Sequence, residues 1–117
     1  MARPAAYVEG LQFGKVPSPA WVWPPDGTEA GLTTAVIQHC HAAAIIAALH
    51  AKSMTRKTYA EAINRGQSMV GKYLNGHREM RMSDIADAVD LLGVSVLPAS
   101  GRIEAELARA RSLTGLT

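Results

Sequence analysis

A chain of 117 residues has room for one domain with a modest core. Hydrophobic residues make up 48% and charged residues 19%, the profile of a folded globular protein and not of a disordered one. The single cysteine rules out a disulfide framework within one chain, and the N-terminus lacks an apolar leader, so a cytoplasmic setting is expected.

The net charge is only +2, but it is unevenly placed. From Lys52 to Arg81 seven basic residues stand against two acidic ones, while Met82 to Gly93 holds three aspartates and no base. Such a basic segment is either a solvated helical face or the contact surface for a localised anionic partner.

Residues 1–31 read as an irregular arm. Val16-Pro17-Ser18-Pro19 and Pro24-Pro25-Asp26-Gly27 are turn chemistry. Trp21-Val22-Trp23 alternates like a short strand with both indoles on one side, and Leu11 and Phe13 alternate likewise. These aromatics either anchor the arm on a helical body or contact a partner. With only Arg3 and Lys15 as bases, the arm makes a poor phosphate clamp.

Thr33 or Thr34 can cap a helix running to about Lys52, with Val36, Ile37, Cys40, Ala44 and Ala48 recurring at helical steps. Its most apolar run, Ala42 to Leu49, is eight residues, well short of the roughly 20 that span a bilayer. His39, Cys40, His41 and His50 invite a metal reading. Residues two apart on a helix point in opposed directions, however, so His39 and His41 cannot share one ion, and no metal site is expected. Cys40 reads as a small buried hydrophobe and not as a nucleophile.

Met54 to Gly76 carries the most information. Thr55 is a natural N-cap for a short helix over Arg56 to Ile63, and Asn64 tolerates the left-handed conformation that ends it. A second helix runs from Gln67 to about Asn75, and Asn75-Gly76 terminates it. Two short helices joined by a tight turn form a helix-turn-helix. Ala60 stands at the crossing, where a larger side chain would push the helices apart. Tyr59, Ile63, Val70 and Leu74 can face a common core. Gln67, Ser68, Met69 and Lys72 fall on the opposite face, where polar side chains at a helix N-terminus can read base edges in a major groove.

At these residues the chain resembles the lambda-repressor-like helix-turn-helix family. The spacing of Ala60 from Asn75-Gly76 carries the likeness, with the string Gly66-Gln67-Ser68-x-Val70-Gly71. It extends through Ile85, Ala86, Val89, Leu92, Gly93 and Val94 and spans roughly residues 34–97. The resemblance implies an all-α bundle of about five helices that binds a double-stranded DNA operator. It implies that Gln67 reads an adenine, that Ser68 contacts bases nearby, and that Asn75 holds a phosphate. Arg56 falls where the family often has a glutamine that bonds a phosphate and braces the reading residue. Lys57, His77, Arg78 and Arg81 flank the reading helix as backbone contacts, and Lys72 can reach a guanine or a phosphate. Met69 adds bulk to the reading helix, and Arg65 takes a position that is usually apolar, with its stem along the core and its head in solvent.

Ser83 can cap a helix over Asp84 to Leu92, with Gly93 as its left-handed stop. Asp84, Asp87 and Asp90 form a solvated acidic face turned away from DNA. A last helix starts near Ser100 or Gly101, and its stripe of Ile103, Leu107 and Ala110 packs on its own domain or pairs in a homodimer. The expected organisation is an arm over 1–31, a DNA-binding domain over 32–97 and a C-terminal helix over 98–117. The expected function is sequence-specific transcriptional repression, as a phage or prophage immunity repressor or a Cro-like regulator. The competing reading is an antitoxin or adaptor whose arm contacts a protein. No nucleophile with a base, glycine-rich phosphate loop or ligand set is visible, so neither enzymatic activity nor a cofactor nor a small-molecule ligand is expected.

Overall fold

The computed structural model describes residues 2–95 and 100–116. Among these the chain is all-helical: α1 Glu29–Ala51, α2 Arg56–Ala62, α3 Gln67–Leu74, α4 Met82–Leu92 and α5 Ser100–Leu113, after a 3₁₀ turn at Pro4–Tyr7. The expected end of the central domain at residue 97, together with Val96, lies outside the described residues.

Helix α1 is the axle. It packs against the 3₁₀ turn, α3, α4 and α5. By length and composition it could cross a membrane, with a mean hydropathy of 1.5 over its most apolar stretch, but 56% of that stretch is buried in this fold. Its apolar character therefore extends well beyond the eight-residue run expected. The helix also starts earlier than expected. The Thr28 hydroxyl accepts from Gly31 N, while Thr33 and Thr34 turn their hydroxyls back onto Glu29 O and Ala30 O. A threonine bonded back to the preceding turn is no cap. The buried face matches the expected stripe only in part, with Val36 and Cys40 inside and Ala44 and Ala48 half-buried. Leu32, Ala35, Val36, His39, Ala42 and Ile45 are buried, whereas Ile37 is 39% exposed.

The arm is not a separate unit. Tyr7, Val8, Phe13 and Trp21 join the same core as α1. Trp21-Val22-Trp23 does not build a strand: a single antiparallel bridge links Trp21 to Val8. The two indoles have different fates, Trp21 buried and Trp23 41% exposed with its ring edge-on to Tyr7. Helix α5 packs on its own domain against α1, burying Ala110 and Glu106.

Helices α2 and α3 follow local signals closely. Thr55 Oγ1 accepts from Thr58 N at 3.1 Å, and Asn64 takes a φ of 57°. Ala60 is 1% exposed, and Val70, Tyr73 and Leu74 are buried beneath α3. Gly93 closes α4 at φ 70°, as expected. The N-terminus of α4 differs, since it begins at Met82 and not after a Ser83 cap. Asp84 Oδ2 accepts from Arg81 N at 2.8 Å and fills the first-turn vacancy from inside.

Candidate nucleic-acid interface

Which side of α3 is free follows from its burial pattern. With Val70, Tyr73 and Leu74 turned inward, Gln67, Ser68, Met69 and Lys72 are all exposed. Ser68, Met69 and Lys72 line an open depression with Gly66 and Arg78. Among the described residues, none from the arm lines this depression. The face carries amide, hydroxyl, thioether and ammonium groups, so it offers hydrogen-bond donors and acceptors, one apolar contact and one cation.

Below it, the Tyr59 and Tyr73 phenols are fully buried between α2 and α3. Burial and the nearby Asp87 carboxylate push Tyr59 up to about 12, and burial raises Tyr73 further. Both phenols therefore stay neutral.

The cations around this face divide into free and engaged. Lys57 and Arg81 are exposed, as is the His77 imidazole. Arg56, at the start of α2, places Nη1 3.0 Å from Asn75 Oδ1 at the end of α3, which ties together two of the expected phosphate contacts. Arg56 and Lys57 sit in the first turn of α2, where the helix dipole disfavours cations, and no acid stands there to offset them. An external anion would.

Arg78 differs from its expectation as a free backbone contact. Its Nη2 lies 3.1 Å from Asp84 Oδ2, its Nη1 donates to Glu79 O at 2.6 Å, and its Cζ stands 5.2 Å over the Tyr73 ring. The guanidinium is thus neutralised and held, and it braces the loop after α3. Asp84 is correspondingly 3% exposed, which corrects the reading of the three aspartates as one solvated face. Asp87 is paired as well, 3.4 Å from Arg65 Nε, so the Arg65 head is tied to α4 as well as to water. Asp90 alone stands open as expected.

Sequence reasoning missed the buried polar groups that hold this surface in place. Gln38 donates from Nε2 to Tyr73 O and Arg78 O, both at 2.9 Å, and accepts from Met80 N at 2.8 Å. His39 accepts from Gly14 N at 2.8 Å between the edges of Phe13 and Trp21. Glu106 collects Trp21 Nε1 at 2.7 Å, Ser18 Oγ at 3.2 Å and Arg109 Nη1 at 2.8 Å. For Gln38 and His39 the available signal was polar residues inside the otherwise apolar α1, each of which requires a partner when buried, whereas Glu106 on the charged α5 gave no such signal. His39 and His41 are both held below the ordinary histidine value, chiefly by burial. Burial pushes the Cys40 thiol up, which makes it a poorer nucleophile.

Comparison with protein-family models, curated proteins and solved structures finds no match to this chain.

Proposed function

We propose that the chain is a sequence-specific double-stranded DNA-binding protein of the lambda-repressor-like helix-turn-helix type, acting as a transcriptional repressor. In this reading α3 enters the major groove, which at about 12 Å admits a helix. Gln67 pairs with an adenine edge, Ser68 and Lys72 contact neighbouring groups, and Met69 packs on a thymine methyl. Arg56, Lys57, Asn75, His77 and Arg81 receive phosphates on either side, and Arg78 stiffens the loop that carries its neighbours.

One observation carries the reading: the exposed, uncovered row of Gln67, Ser68, Met69 and Lys72 on a helix whose other side is locked into the core. A helix needed only for packing would not pair this face with unneutralised cations at the start of α2. A phage immunity repressor or a Cro-like regulator is the role such a small module fits.

Selecting bound duplexes from a random pool tests it. The winners should share a short half-site. Gln67→Ala should erase the preference at one base pair, by about 1 to 3 kcal/mol, with little change on random duplex. A pool that shows no enrichment overturns the reading.

A further inference from the structure

We infer that the phosphate-contacting surface continues off α2 and α3, across the turn of the N-terminal arm and onto the start of α5, with Lys15 and Arg102 receiving the backbone of the same duplex. This rests on the nucleic-acid reading above and extends it to a part of the chain whose composition argued against it.

The arm turn is mounted directly on the end of α3. Ala5 N donates to Gly76 O at 2.8 Å. Gly14 sits at φ +72° so close to α3 that a Cβ there would lie 2.9 Å from Leu74 O, and a Cβ on Gly76 would lie 2.9 Å from the Phe13 ring. His39 fixes the same turn from below through Gly14 N. Lys15 is therefore presented from a rigid mount and not from a loose tail.

The neighbours of Lys15 then form a continuous series. Arg56 bonds Asn75. Asn75 and His77 share a small cleft with Lys15, and Lys15 shares the adjoining cleft with His50 and Arg102. No carboxylate lines either cleft, and among the described residues neither Lys15 nor Arg102 makes an ion pair. Two exposed, unpaired cations, Lys15 and Arg102, in line with Arg56 suit a polyanion whose charges recur along its length better than one small anion. Such contacts fix the protein on the duplex without reading its sequence.

The test uses the full chain and a duplex selected by it, with affinity measured across a salt series. Lys15→Ala with Arg102→Ala should flatten the dependence of log affinity on log salt by about 0.9 for each phosphate lost, approaching 2 for the pair. The base preferences should be retained. Lys15→Arg should keep the wild-type slope, as should Arg111→Ala on the far half of α5. Circular dichroism and a thermal melt identify any variant that fails to fold, in which case Lys15→Gln alone should still lose close to one phosphate equivalent. An unchanged slope in the folded double variant, beside a flattened one for Arg56→Ala, overturns the extension and leaves DNA binding standing. A wild-type chain that binds no duplex overturns both.

Discussion

Helices α2 and α3 are started, stopped and spaced by neighbours a few positions away, through Thr55, Asn64 and Ala60. The arm is held by partners far along the chain: His39 lies 25 residues from Gly14, Glu106 lies 85 from Trp21, and Arg109 lies 90 from Pro19. The first region presents chemistry outward on a short, locally determined frame. The second region spends its polar groups inward, on fixing the mount. The molecule thus separates what touches a partner from what holds the touching surface still.

Breaking the long-range half should have the largest effect. Trp21→Ala removes a buried indole and takes from Glu106 one of its three hydrogen-bond donors, so a loss of about 3 to 5 kcal/mol is expected from urea unfolding. A loss below about 1 kcal/mol would show that the arm is a passenger.

The second effect is a pH dependence. Burial lowers the His39 pKa from 6.5, while Glu106 pulls it up and Arg102 pushes it down. The folded chain therefore keeps this imidazole neutral where the unfolded chain takes up a proton. Its contribution is fully present above pH 6.5 and is lost as pH falls below that value, by at most about 1.4 kcal/mol per pH unit. His39→Gln, which keeps an acceptor for Gly14 N, should flatten that acid limb and leave only the part due to His41. An acid limb identical in the variant would assign the sensitivity elsewhere.

The smallest effects belong to the local half. Thr55→Ala should cost about 1 kcal/mol through the lost cap. Arg65→Ala, which breaks a half-exposed ion pair with Asp87, should cost between about 0 and 1. Equilibrium melts of the two variants rank cap against ion pair. An Arg65 effect larger than that of Thr55 would mean that α4 supports the α2–α3 pair more than local signals do.

The same division explains what could be read from the residues alone. The bounds of α2 and α3, the left-handed Asn64 and the outward row from Gln67 were legible because capping, turn and spacing rules act over one or two helical turns. The start of α1 was less so, since Thr28, Thr33 and Thr34 each qualify as a cap by type, and only the route of the arm decides among them. The burial of Asp84 was not legible at all. It depends on Arg78 folding back over Tyr73, which is fixed by the loop between α3 and α4. Periodicity likewise placed Ile37 inside because it counts apolar residues, whereas the contacts of α1 are set by which neighbours arrive on which side.

Gln38 has one last consequence, for which changes the chain can tolerate. Its head meets two carbonyl oxygens and one amide hydrogen, a pattern that also settles which end of the amide is nitrogen. Glutamate would set a negative oxygen against two others, leucine would strand three main-chain groups, and asparagine falls a methylene short. In a saturation library screened for folded protein, this inconspicuous interior position should return almost nothing but its parent residue, while the outward row on α3 drifts freely.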